Sequence, residues 1–293
     1  MKNIILYLFI LFLYTGCRGS NEKSFIDLET AFIEWYFKLH PIEASKFGIK
    51  KYNSELPRYD KNSVDEYLAD LNRFLIELSQ IDYIHLSDKN KSNFMILENY
   101  IETEIYSFSK DKIQNYGIDF YLELIYESIW YVVDYEHIGM NEKVNSVINR
   151  LTNIKYLFKD IFSNIKLYDE RRCDKAIEYL NHFELLLDLL PLKLSASQEK
   201  MDKIDYLILK NQHEISLLRN FINSELVTYK IYNQFLDSNQ YKDKFKLNVG
   251  SSYSIDRVYS LSLKKIQEIQ NKMFDVSISI YLSENDEPIW LDR

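Results

Sequence analysis

Residues 63–80 read SVDEYLADLNRFLIELSQ. Val64, Leu68, Leu71, Leu75 and Leu78 recur at three- and four-residue spacing, which lines one face of a helix. Ser63, followed three positions later by Glu66, has the form of a capping box and is expected to open that helix. The same grammar runs outward in both directions. Upstream, Phe25, Leu28, Phe32, Trp35, Tyr36 and Leu39 give a helix over 24–39 that Pro41 stops; a short piece follows and ends at Gly48, which suits a left-handed cap. Downstream, Ser87 starts a helix carrying Phe94, Leu97, Ile101, Ile105 and Phe108. Gly117 and Gly139 punctuate an aromatic segment. Asn141 opens a helix through Val144, Ile148, Leu151, Ile154, Phe158 and Ile161. A further helix spans Cys173–Leu190 and ends at Pro191. Ser195 opens one reaching Leu236, Gly250 breaks the chain, and Leu261–Phe274 closes the series.

Composition agrees with this reading. The 293 residues include only 6 Gly and 4 Pro, too few for folds that turn on glycine. A hydrophobic content of 46% excludes disorder, and 2 Cys exclude a disulfide scaffold. The expectation is an all-α fold, a multi-helix array with no sizeable sheet. A single helical domain is expected over 24–293, with a loose boundary possible near Pro191–Ser197. Asp275–Tyr281 alternates with period two and leaves strand and helix open. The formal net charge is −8. No basic stripe appears, and the Lys runs at 242–246 and 264–265 are interrupted or short, so no nucleic-acid partner is expected.

The N-terminus reads as an address. Met1-Lys2-Asn3 is a short basic start, and Ile4–Tyr14 is an apolar run of eleven residues. That is too short for a mature span, which needs about 20, but it suits a signal sequence. Tyr14-Thr15-Gly16-Cys17 resembles the bacterial lipobox, with Tyr14 where Leu is usual. Residues 1–16 are therefore expected to be a lipoprotein signal peptide, Cys17 the lipid attachment and 17–23 a tether. Residue 18 is Arg rather than Asp, which points to the bacterial cell envelope, at the outer membrane or facing the periplasm. The membrane, reached through the anchor at Cys17, is then one partner. Cys173, with no second thiol in the mature chain, reads as a structural cysteine.

Motifs for chemistry are mostly missing. His213-Glu214 begins a zinc-helix pattern, but position 217 is Leu217, not His. Glu178 and His182 share a helix face, yet one such pair is too little for a metal site. His40 reads as a turn residue before Pro41, and His137 sits near Asp134 and Glu136 in an expected loop. Glu98, Glu102 and Glu104 read as solvated carboxylates. There is no nucleophile elbow, phosphate loop or calcium loop. The aromatic segment is the remaining candidate. Tyr126, Trp130 and Tyr131, with Glu123, Glu127 and Asp134 among them, suit either a cleft for a polar, cationic or peptide-like ligand or an amphipathic core helix.

Several segments, in order, resemble one bacterial family. They are Ala31–Gly48, the Arg150-Leu151 helix to Asn164, Phe183–Pro191, and Phe245–Gln270 with Gly250 and Tyr253. Together they resemble the N-terminal half of the domain of unknown function 885 family. That resemblance implies secreted or lipid-anchored helical proteins of the gluzincin metallopeptidase type. Their zinc motif, H-E-x-x-P-G-H, lies in the C-terminal half. No position up to Arg293 matches it, so no catalytic residue carries over and the chain is not expected to act as a peptidase alone. Two expectations follow. One is the non-catalytic half of a split or truncated metallopeptidase, with zinc present only if a second chain carries the catalytic half. The other is a free-standing helical binding or interaction module. On either, the purified chain should hold no stoichiometric zinc. Metal analysis finding about one tightly bound zinc per chain contradicts both.

Overall fold

A computed structural model describes residues 2–135, 138–232, 238–249 and 253–284, with side chains from residue 21 onward except that of Ser238. His137 and Gly250 lie outside the described residues, as does the side chain of Cys17. The chain divides into two compact units, residues 1–233 and 234–293. The division thus falls well beyond the loose boundary expected near Pro191.

The first unit contains α1 (Lys2–Leu39), α2 (Pro41–Lys46), α3 (Lys61–Ser79), α4 (Asp88–Tyr106), α5 (Ile118–Asp134), α6 (Met140–Asn164), α7 (Glu170–Lys193) and α8 (Gln198–Asn220). The second contains α9 (Ser238–Val249) and α10 (Ile255–Glu284). β pairing among the described residues is one isolated parallel bridge, Tyr168 to Ile231. The fold is all-α. In the first unit α1, α3 and α4 pack together, α5 lies against both α6 and α7, and α8 packs on α6 and α7. The short α2 joins the two groups by contacting α1 and α5. No helix among the described residues is long and apolar enough to cross a membrane.

Helix ends follow local chemistry, with some corrections. The N-cap of α3 is Asp60, not Ser63: its carboxylate accepts from Ser63 N at 3.2 Å and Ser63 Oγ at 2.9 Å. A carboxylate is a strong cap, and here it also engages the hydroxyl that would have capped. The buried face of α3 is Val64, Tyr67, Leu71, Phe74 and Leu78, whereas Leu68 and Leu75 are only half-buried. The aromatic rings take the centre because they meet those of α1 and, through Tyr67, the Phe108 ring in the turn after α4. Ser87 caps α4 as expected, accepting from Asn90 N, and Gly117 and Gly139 precede α5 and α6. Gly48 has φ 78, a conformation that favours glycine.

Pro191 does not end α7. The helix runs to Lys193, with Leu194 N bonded to Leu190 O at 3.0 Å. Leu190 and Leu194 are both buried, and their packing carries the helix past the lost amide. The helix expected to reach Leu236 stops at Asn220. It widens into a π turn over Phe221–Glu225 and then a 3-10 turn to Thr228. This keeps Phe221, Ile222 and Leu226 all buried, before Tyr168 pairs with Lys230 and Tyr232. The alternating stretch Asp275–Tyr281 is helix within α10. Ser277 and Ser279 donate back to Met273 O and Asp275 O, each at 2.8 Å, so the serines join the helix rather than a strand edge.

The most constrained polar group is Arg150 of α6, which has no exposed surface. Its guanidinium donates to Ser128 O (2.5 Å) on α5, to Pro41 O (3.1 Å) and Ser45 Oγ (2.6 Å) on α2, and to Tyr52 O (3.3 Å). Burial pulls its pKa down to about 9, which still leaves it charged at pH 7. Replacing Arg150 with Met strands those acceptors in the core. The variant is expected to lose about 3 kcal/mol or more of stability, read from the urea midpoint at unchanged slope.

Candidate functional site

The C-terminal end of α1 carries a row of rings. Phe32 meets Phe74 and Tyr100 edge-on. Trp35 stacks on Tyr67 with centroids 5.4 Å apart and planes 7° apart. Tyr36 lies on the His40 ring at 4.4 Å. The i, i+3, i+4 spacing of Phe32, Trp35 and Tyr36 places them on one helix side, facing α3 and α4.

Below these rings runs a polar chain. Tyr67 Oη donates to Glu104 Oε2 at 2.8 Å, and His40 Nε2 lies 3.2 Å from the same hydroxyl. The Tyr67 proton points to Glu104, so His40 donates through Nε2. Burial pushes the His40 pKa down to about 4 and raises that of Glu104, a rise that the Tyr67 hydrogen bond opposes. Burial and the nearby Glu104 push the Tyr67 and Tyr100 phenols up. At neutral pH the ring of His40 is therefore neutral and the phenols keep their protons.

A cavity of about 220 Å³ opens beside this chain. His40, between α1 and α2, and Tyr67 of α3 reach it. Tyr59, from the loop before α3, and Phe108, from the π turn after α4, complete an aromatic wall. The Tyr59 peptide is fixed on both sides by α6: its N–H donates to Asp160 (2.9 Å) and its carbonyl accepts from Asn164 (2.6 Å). Lys38, Arg58, Glu66 and Asp70 add the charged part of the lining. Aromatic walls with a few converging polar groups and displaced pKa values mark a candidate binding site.

The residues singled out in the sequence lie elsewhere. Tyr126, Trp130 and Tyr131 are half-buried on α5. Tyr126 stacks with Trp130 (6.0 Å) and approaches Tyr179 (6.3 Å) and His182 (5.8 Å) of α7. Tyr131 turns the other way, donating to Glu127 (3.3 Å) under the Lys46 ammonium. His85 pairs with Asp82, and His213 is exposed. Cys173 is buried, its thiol pushed up to about 11. Among the described residues no three His, Cys, Asp or Glu side chains gather as a metal site. The cavity was not legible in the sequence. His40 looked like a turn residue and Glu104 like a solvated carboxylate, and nothing in their spacing announced Tyr67 between them.

No protein-family model matches the chain, and no curated protein sequence does. Among solved structures it is similar to a protein from Shewanella oneidensis described as a "putative lipoprotein of unknown function", at 15% identity and a TM-score of 0.78. The match covers 92% of this chain and 50% of that one. The chain thus spans about half the length of the structure it matches. At this identity the likeness is one of fold.

Burial of neutral His40 makes stability depend on pH. Its folded pKa of about 4 lies below the ordinary 6.5, so the unfolded chain takes up the proton first. The contribution is complete above pH 6.5 and is lost as pH falls toward 4. The raised Glu104 acts in the opposite sense. Between pH 7 and 4.5 the parent is expected to lose about 2 kcal/mol more than His40→Gln, measured by urea unfolding at each pH. Parallel pH profiles would remove His40 from the buried network.

Proposed function

We propose that this chain is a lipid-anchored bacterial envelope protein whose helical unit is the non-catalytic, N-terminal-type half of a metallopeptidase-like fold. The envelope part of the reading is supported by the likeness in fold, over 92% of this chain and 50% of the other, to a protein described as a "putative lipoprotein of unknown function"; the metallopeptidase-like part rests on the sequence resemblances alone. The ordered resemblances at Ala31–Gly48, Arg150–Asn164 and Phe183–Pro191 support the family assignment. Tyr14-Thr15-Gly16-Cys17 supports anchoring at Cys17, at the outer membrane or facing the periplasm.

On this reading the chain supplies no zinc ligand and no peptidase chemistry of its own. Its role is to form one wall of a cleft, and a second chain would bring the metal and the catalytic half. Tyr126, Trp130 and Tyr131 of α5 are then the residues proposed to line that cleft. A second reading, a free-standing binding module, is favoured by one observation: the aromatic cavity is formed wholly within residues 38–108.

The anchoring is tested by expressing the full chain and Cys17→Ala in a bacterial host fed a labelled fatty acid. The parent is expected to carry the label and sediment with membranes. Cys17→Ala is expected to lose the label and leave the membrane fraction. An unlabelled parent, or a variant labelled as strongly as the parent, refutes a lipid on Cys17.

A further inference from the structure

The cavity between α1, α3 and the π turn after α4 has a chemical preference that its hydrogen bonds define. Most of its side-chain donors are engaged. Arg58 donates to Asp60 at 3.0 Å, lies 3.9 Å from Asp160, and rests over the Tyr156 ring at 4.6 Å. The Ser63 amide and hydroxyl both go to Asp60. The Tyr67 hydroxyl goes to Glu104, and the Trp35 indole N–H goes to Asp70 at 2.8 Å. An anion reaching Arg58, Ser63 or Tyr67 would have to displace one of these carboxylates, which leaves it only the exposed Lys38 and the Tyr59 hydroxyl.

Acceptors and π faces are in surplus. Tyr59 and Phe108 lie parallel, 6.1 Å apart and within 5°, and Phe108 meets Tyr67 edge-on at 5.4 Å. Glu66 is exposed at the rim and Asp70 half-buried beside it. Glu104 lies behind Tyr67, and Asp60 and Asp160 lie behind Arg58. Against these five carboxylates stand Arg58, Arg73 (which pairs with Asp70) and the exposed Lys38. Aromatic faces within a net negative surround attract a desolvated organic cation.

We propose that this cavity binds a small organic cation, an ammonium or guanidinium on an apolar body. The apolar body packs against Tyr59, Tyr67 and Phe108, and the charged head turns toward Glu66 and Asp70. The proposal goes beyond the half-fold reading and stands or falls independently of it, since every group involved belongs to this chain.

The test is calorimetric titration of the detergent-solubilised full chain at pH 7 with three probes of similar size: phenethylamine, 2-phenylethanol and 3-phenylpropionate. Phenethylamine is expected to bind about tenfold more tightly than the alcohol, with the acid weakest. Glu66→Gln/Asp70→Asn is expected to weaken the amine about fivefold or more, and Glu66→Gln alone, at an exposed side chain, in the same direction. Glu123→Gln/Glu127→Gln, beside Tyr126 on α5, should leave its affinity unchanged. The proposal is overturned by any of four results: no amine binding at millimolar concentration, equal binding of the acid or the alcohol, indifference to both Glu66 variants, or loss of binding in the α5 variant.

Discussion

A buried guanidinium, with no carboxylate at ion-pair distance among the described residues, holds the first unit in register. Arg150 sits on α6 and its bonds end on α5, on α2 and on the turn at Tyr52. Three of its acceptors are backbone carbonyls, whose partial charges offset desolvation of the cation without a second buried ion. Two of them, Pro41 O and Tyr52 O, bracket the segment that carries α2, whose Ile42 and Ala44 are also buried. Ser45 adds bonds to Pro41 O (3.0 Å) and Asn53 Oδ1 (2.8 Å). Arg150 thus ties α2, which also packs on α1 and α5, to α6.

The position of α2 fixes the cavity. His40 is the residue before Pro41, so the clamp on Pro41 O also sets where the imidazole enters the aromatic row. The second fixed point is the Tyr59 peptide, held by Asp160 and Asn164 of the same helix α6. One helix therefore holds two irregular segments, 40–53 and 56–60, by side chains that reach backbone groups. Irregular backbone can be buried only when its amides and carbonyls are met in this way. The result is a site built from loops and helix ends yet held by the core, the arrangement in which binding residues are usually found.

The three proposals draw on different parts of the molecule. Anchoring depends on residues 1–17 and on nothing in the helical core. The half-fold reading depends on ordered sequence resemblances, while the backbone path is shared at 15% identity with a protein described as a "putative lipoprotein of unknown function". Ligand selection depends on a few side chains around Tyr67. A chain could keep any one of these while losing the others.

Fold class was legible in the sequence because it needs only periodicity and the scarcity of breakers. The runs around Val64, Phe94 and Val144 appear as helices, and Gly48 takes the left-handed turn its position suggested. Ends were less legible, since a cap or stop is a contest that packing can decide. Asp60 outcompeted Ser63 for the first turn of α3, and buried Leu194 carried α7 past Pro191. Alternation in Asp275–Tyr281 could not separate strand from helix, because serine hydroxyls serve either by bonding water or by bonding the turn behind. The cavity was beyond the sequence altogether. His40, Tyr67 and Glu104 lie on three different elements, and each alone has an ordinary neighbourhood. Only the crossing of α1, α3 and α4 brings them together, and only burial at that crossing gives a turn histidine and a helix glutamate their displaced pKa values.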